Sequence, residues 1–425
     1  RDLAKVEAAG SSPVSRSFYF IAETFFIFMR VSAIFVTGHS YTFSFSREYF
    51  TMIQKVSSFL KKDTVLTIAL ALAVLSMFII PPSAGYLGYL DLHTLILLFG
   101  LMTATTGLQN IGFFRQLGEL LLLRIHSLRQ LEQLLILLCF FSSMLITNDV
   151  ALITFVPFAL ELLRMVNRKD RIVPVVVCQT LAANLGSMTT PVGNPQNLYL
   201  YSHFELSLDT FIRSIGPFSL LSLVLLLLVT MFTPRETISL DTAGRATTSD
   251  ETFPKRCLFC CLGMCLCTVA GLLPLPILFI CILAIGCLAD PKIFCQVDYS
   301  LILTFIGFFI FIGNLKHIPA VSSLLSSMIT GHEVIVSVLA SQVISNVPAA
   351  ILLSGFTEKG VSLLIGTNLG GLGTLIASMA SLISYKYIVR SCPEKKGIYF
   401  RWFTIANAGF LAVLMAVYFL VFYSI

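Results

Sequence analysis

Two short polar stretches interrupt otherwise apolar runs, Thr147-Asn148-Asp149 and Ser345-Asn346-Val347-Pro348. Asn amide oxygens and freed backbone carbonyls suit a hard cation such as Na+, whereas freed helix N-termini favour an anion. Asn also caps helices and turns, so Asn148 and Asn346 equally fit a plain capping role. A matched pair at two polar tips favours cation or substrate binding. Asp149 is ionisable within an apolar segment, which makes it a functional candidate by default. Ionised, it binds a coupling Na+; protonated, it carries H+; as an N-cap of the following helix it is compatible with either role. Two longer polar stretches, 184–197 and 367–374, supply the remaining candidates. Thr189, Thr190, Thr367 and Thr374 stand beside these breaks, as substrate contacts or as local backbone partners. Gly193, Gly370, Gly371 and Gly373 permit unwound backbone that a ligand can approach. The candidate binding set is therefore Thr147, Asn148, Asp149, Asn184, Thr189, Thr190, Gly193, Asn194, Asn197, Ser345, Asn346, Thr367, Asn368, Gly370 and Thr374. A Na+ site would draw on Asn148, Asp149 and Asn346.

The elements that position these residues follow from composition. Of 425 residues, 56% are hydrophobic and 12% charged, with a mean hydropathy of +0.89. Soluble domains hold about 45–50% apolar and about 25% charged residues, so the chain reads as an all-α polytopic membrane protein. A nucleic-acid binder, a disulfide scaffold and a disordered chain are excluded. Apolar spans are expected near 64–80, 91–108, 172–203, 208–232, 257–273, 276–289, 299–314, 361–388 and 402–423. The stretch 18–36 is apolar but interrupted by Glu23 and Arg30. It fits a tenth span, an interfacial helix or an extension, and it carries no small-residue cleavage site. Residues 37–63 read as a connector.

The net charge of +6 is a topology signal. With Lys61 and Lys62 at the cytoplasmic start of the first firm span, seventeen later Lys and Arg residues fall on inner loops. Only Arg213, Lys316 and Lys359 fall outside. That asymmetry orients the chain.

Two segments do not fit as ordinary spans. In 129–165 an apolar run meets Thr147-Asn148-Asp149 and a second apolar run returns, with basic residues at both flanks. The returning arm, 150–163, would be about 21 Å long, short of the roughly 30 Å bilayer core. A re-entrant hairpin with its tip near mid-membrane is expected, and 333–356 repeats the pattern from the opposite face. Irregular backbone at that depth must sit inside protein or line an aqueous cavity. The spans 172–203 and 361–388 would be about 48 and 42 Å long as straight helices, so each is expected to break. The order span, amphipathic piece, hairpin, broken helix, final span thus occurs twice with opposite orientation. This inverted-topology repeat is the architecture of secondary transporters. The implied organisation is an extension (1–60), a first repeat (61–233), a cytoplasmic linker (234–256) and a second repeat with an extra leading helix (257–425).

At these residues the sequence resembles the ion transporter superfamily. That group spans divalent anion/sodium symporters, citrate transporters, sodium/proton antiporters, arsenite permeases and the melanosomal P protein. The resemblance covers about residues 60–425. It rests on Ile146-Thr-Asn-Asp-Val-Ala-Leu-Ile-Thr-Phe-Val-Pro157, Asn184-Leu-Gly with Pro191-Val-Gly-Asn-Pro-Gln-Asn197, Ser345-Asn-Val-Pro348 and Gly366-Thr-Asn-Leu-Gly-Gly-Leu-Gly-Thr374. It implies an elevator transporter, a homodimer, with hairpins and broken helices in the moving domain. The symporter branch usually carries Ser-Asn-Thr at both tips. The tips here lie nearer the arsenite and citrate-transporter-like branches.

Other signals are weaker. Cys257, Cys260, Cys261, Cys265 and Cys267 lack His or carboxylate partners and read as small buried hydrophobes. Eleven cysteines, mostly within spans, do not form a disulfide framework. The histidines are scattered, with His203 near the outer end of a broken helix. No nucleophile–base pair, Walker motif or phosphate loop is present, so neither an enzyme nor ATP-driven transport by this chain is expected. The expected function is import of a small anion, a di- or tricarboxylate, coupled to H+ or Na+, without other cofactor. A Na+/H+ antiporter or a proton-coupled arsenite efflux permease is the alternative. The expected setting is a bacterial plasma membrane, and the expected partners are the anion, the bilayer and a second copy.

Overall fold

Helices make up the architecture, and no strand occurs among the described residues. A computed structural model describes residues 64–122, 125–238 and 252–421. The expectations for 1–60, including 18–36, and for 239–251 of the linker lie outside them.

The first series is α1 (Thr64–Met77), α2 (Leu92–Asn110), α3 (Phe113–Leu122), α4 (Leu128–Ile146), α5 (Asn148–Met165), α6 (Ile172–Ser187), α7 (Pro195–His203) and α8 (Leu208–Met231). The second is α9 (Thr252–Val269), α10 (Leu275–Ala289), α11 (Tyr299–Lys316), α12 (Pro319–Ile329), α13 (Glu333–Ile344), α14 (Asn346–Ser354), α15 (Gly360–Gly370), α16 (Met379–Ser391) and α17 (Lys396–Val421). Helices α2, α4, α8, α11 and α17 are each long and apolar enough to cross a membrane alone. Phe232, Leu420 and Phe78 are 90%, 75% and 70% exposed, an outward apolar surface that water would penalise and lipid would not. The protein is an integral, multi-pass membrane protein.

Local chemistry sets the helix ends. Ser127 and Gln130 form a reciprocal capping box at the start of α4. Asn194 caps α7, with Pro195 at its first position. Helix α1 stops at Met77, short of the expected 80, and Pro81-Pro82 follow, which lack the N–H groups a helix needs. Helix α17 starts at Lys396, six residues before the expected 402. The returning arm α5 also departs from expectation. It holds eighteen residues, about 27 Å rather than 21 Å, because its helix begins at Asn148 in the tip itself and continues past 163 through Arg164 to Met165.

Each helix pair that meets at a polar tip packs on the first piece of the broken helix that follows: α4 and α5 on α6, α13 and α14 on α15. Across the molecule α5 packs on α16 and α14 on α7. Helix α1 lies on α11, and α10 on α2. Small residues allow the close approaches. A Cβ at Gly186 would stand 2.1 Å from the Phe140 carbonyl oxygen, and one at Gly370 would stand 2.6 Å from Ser341 Oγ.

Carboxylate–cation pairs tie the bases of both helix pairs to the broken helices. Buried Glu132 on α4 accepts from Arg171 Nε at 2.7 Å and from Thr233 Oγ1 at 2.6 Å. Buried Glu333 on α13 lies 3.6 Å from Lys359 Nζ. Glu132→Gln should lower stability by about 3 kcal/mol, the low end for breaking a buried pair, because Arg171 keeps some solvent access. Chemical or thermal unfolding of the purified protein reads this. An unchanged midpoint would show that the pair contributes no net stability.

Candidate functional site

Both tips adopt a strained backbone. Thr147 (φ 68°, ψ 150°) and Ser345 (φ 73°, ψ 155°) occupy a region that non-glycine residues rarely enter, at a cost of about 1–3 kcal/mol each. Surrounding contacts hold them there. The N–H of Asn148 donates to the Gly193 carbonyl at 3.1 Å, and the N–H of Asn346 donates to the Ala377 carbonyl at 3.0 Å. Each tip is thereby docked on the break of the broken helix in its own half.

The breaks bond to each other reciprocally. Asn184 Oδ1 accepts from Asn148 Nδ2 at 3.1 Å and from Ser378 Oγ at 3.0 Å, and its Nδ2 reaches Ser381 Oγ at 3.5 Å. Asn368 Oδ1 accepts from Asn194 Nδ2 at 3.4 Å, and its Nδ2 donates to Asn197 Oδ1 at 2.6 Å. Asn194 and Asn197 stand ten and thirteen residues after Asn184, and Ser378 and Ser381 stand ten and thirteen after Asn368. Each Asn of an Asn-Leu-Gly core therefore bonds the same two positions of the opposite break. All five Asn side chains are buried.

One hydrogen-bonded cluster thus gathers eight helix ends. The N-termini of α5, α7, α14 and α16 supply N–H groups with positive dipole ends, and the C-termini of α4, α6, α13 and α15 supply carbonyls. Among the residues of the cluster Asp149 is the single ionisable one. Its N–H donates to Asn148 Oδ1 at 3.0 Å, while its Oδ1 is buried without a hydrogen-bond partner. A lone buried carboxylate oxygen calls for a proton or a cation.

The other sequence candidates distribute as follows. Thr189 Oγ1 meets Ser219 Oγ of α8 at 2.5 Å, and the Thr190 hydroxyl donates to the Met144 carbonyl near the end of α4. Gly193 supplies its carbonyl to Asn148, and a Cβ there would stand 2.1 Å from the Ser187 carbonyl oxygen. Asn346 Oδ1 is approached by Ser345 Oγ at 3.4 Å. Thr367 lies a turn before its break and bonds back to the Leu363 carbonyl at 2.8 Å. Thr374 is exposed and bonds Gln342 through its N–H at 2.9 Å. The cysteines of α9 do not converge: Cys261 and Cys265 are buried, while Cys260 and Cys267 are exposed.

The sequence reading missed four members. Ser187 Oγ accepts from Asn194 Nδ2 at 3.2 Å, Ser378 Oγ donates to Asn184 Oδ1, and Ser381 Oγ accepts from Asn184 Nδ2. Gln342 binds the second break from α13, its Nε2 donating to the Gly370 and Leu372 carbonyls at 2.9 Å each. Aligning the two Asn-Leu-Gly cores would have found both serines of α16 by their spacing. No comparable signal marks Gln342.

The sequence profile of the citrate transporter family matches residues 50–358, which includes both tips and the first broken helix. The chain belongs to the citrate transporter family. Among relatives, inner membrane protein YbiR of Escherichia coli is 31% identical over 322 residues, 73% of this chain and 84% of its own length. An uncharacterized transporter of Methanocaldococcus jannaschii is 34% identical over 257 residues, 59% of this chain and 69% of its own. The silicon efflux transporter of rice, Oryza sativa, is 36% identical over 128 residues, 30% and 26% of the two chains. This citrate transporter family member is accordingly a membrane transporter, and its kinship points away from an enzyme.

Proposed function

We propose that the protein is a secondary active transporter that moves a small anion, a di- or tricarboxylate, coupled to H+, with Na+ as the alternative coupling ion. The reciprocal bonding of Asn184 and Asn368 to equivalent positions of the opposite break carries this reading. It supports two halves related by an internal pseudo-two-fold axis, each contributing a tip and a broken helix to one position. Four helix N-termini favour a multiply charged anion there without a Lys or Arg. Four C-terminal carbonyl ends and Asp149 favour a cation beside it, the arrangement coupled transport requires.

In this reading 129–165 and 333–356 are re-entrant hairpins. They move with the broken helices as one body past α1, α2, α10 and α11 in an elevator mechanism. The superfamily resemblance supports a homodimer, and the E. coli relative supports a bacterial plasma membrane. The unpartnered Asp149 Oδ1 supports H+ over Na+, as does the lack of Ser-Asn-Thr at either tip. A second reading, cation antiport or proton-coupled arsenite export, draws on the same acid and on the efflux name of the rice relative.

The test is thermal unfolding of the detergent-purified protein with dicarboxylates, citrate, sodium, lithium and arsenite. A ligand of the folded state raises the apparent Tm, by about 2.7 kcal/mol of stabilisation at a hundred times its Kd. A shift with carboxylates that is absent with arsenite supports anion symport. Stabilisation by sodium or arsenite alone would replace it with the second reading.

A further inference from the structure

On the basic side of the molecule a groove of about 500 Å³ opens between α5 and the last turns of α16. Its walls are apolar, formed by Pro157, Leu160 and Met165, and Met165 is 43% exposed. Its rim carries Arg164 from α5 and Arg390 from α16, both exposed. Arg164 is held in place: Nη2 donates to the Ser391 carbonyl at 2.8 Å, at the C-terminal end of α16. Arg390 makes no hydrogen bond or ion pair among the described residues. The acid in the groove, Glu161, lies 3.7 Å from Arg115 Nη2, so its charge is already offset.

The far wall is built at Pro157, inside α5. Pro157 has no N–H for the Ile153 carbonyl, and Tyr387 of α16 donates its hydroxyl to that oxygen at 3.4 Å. The Tyr387 ring thereby lines the groove, and an amphipathic tyrosine is the residue type that membrane proteins place beside lipid headgroups. Two arginines above an apolar slot, on the face that the Lys and Arg asymmetry assigns to the cytoplasm, match the chemistry of an anionic lipid in the negatively charged inner leaflet.

We infer that this groove binds one anionic phospholipid, its phosphate between Arg164 and Arg390 and an acyl chain against Pro157, Leu160 and Met165. The lipid braces α5 of the first half against α16 of the second. Free phosphate shares the headgroup chemistry but not the chain, and the experiment separates the two.

The full-length protein is purified in a neutral detergent and its thermal unfolding is followed against phosphatidylglycerol, phosphatidylcholine or inorganic phosphate. Phosphatidylglycerol should raise the apparent Tm in a saturable way, and the other two should not at equal concentration. Arg390→Gln should shift the phosphatidylglycerol midpoint about tenfold toward weaker binding, the loss of one charge-assisted contact. It is the deciding variant, because its loss removes no contact that joins α16 to α5. Arg164→Gln should weaken the lipid effect at least as much. Equal stabilisation by both lipids, an equal effect of phosphate alone, or an unshifted midpoint in Arg390→Gln would each overturn the assignment.

Discussion

Asn148→Ala and Asn346→Ala should each lower substrate uptake at least ~100-fold while expression and thermal stability stay near wild type. Asn148 is oriented by Asn184 and the Asp149 N–H, and an amide there that gives a ligand two hydrogen bonds worth about 1–1.5 kcal/mol each accounts for ~100-fold when it is removed. Stability suffers less, because Asn184 Oδ1 keeps Ser378 as a donor and both tips keep their backbone bonds to Gly193 and Ala377. Asn346 has fewer side-chain bonds, so its amide is the freer of the two to meet a ligand. Radiolabelled uptake into proteoliposomes, beside unfolding curves of the same preparations, separates the two effects. Wild-type uptake by both variants would remove the tips from the binding site.

Asp149→Asn should abolish the concentrating power of a pH gradient while leaving substrate exchange across the membrane intact. The amide mimics a permanently protonated acid. The carrier can then cross with substrate but cannot release the proton, so net transport should fall at least ~100-fold, in line with removing an essential proton carrier. The buried, unpartnered Oδ1 makes this the expected outcome. Under Na+ coupling the same variant would lose sodium dependence and retain substrate binding. Proteoliposomes under imposed H+ or Na+ gradients distinguish the cases. A variant that still accumulates substrate on a pH gradient would refute Asp149 as the proton carrier.

Much of the site's frame was legible in the residues. Pro191 cannot continue the helix that precedes it, Pro195 favours a helix start, and Gly370, Gly371 and Gly373 permit a helix end, so the breaks after Ser187 and Gly370 could be read directly. The tips were legible for a similar reason, since Thr147-Asn148-Asp149 and Ser345-Asn346 are polar residues in apolar runs. Arm length was less legible. The arm expected over 150–163 gains Asn148 and Asp149 at the tip, and at the other end α5 continues through Arg164 to Met165, because a charged side chain at a membrane surface keeps a helix while reaching water. The pairing Glu132–Arg171 was invisible, because a lone acid in α4 looks the same whether solvated or buried against a cation.

What the sequence by itself determined was a helical membrane protein with two polar tips and two interrupted helices, because composition, proline, glycine and apolar run length act locally. Only the tertiary structure decided the partners. Asn184 and Ser378 are 194 positions apart, and a hydrogen bond requires them within about 3 Å, a proximity set by how α5 packs on α16 and α14 on α7. Ser378, Ser381 and Gln342 carry no local mark of that role. A serine in a helix usually bonds its own preceding turn, and only the packing of the two broken helices against each other brought Ser381 to Asn184, as that of α13 on α15 brought Gln342 to the carbonyls of the second break.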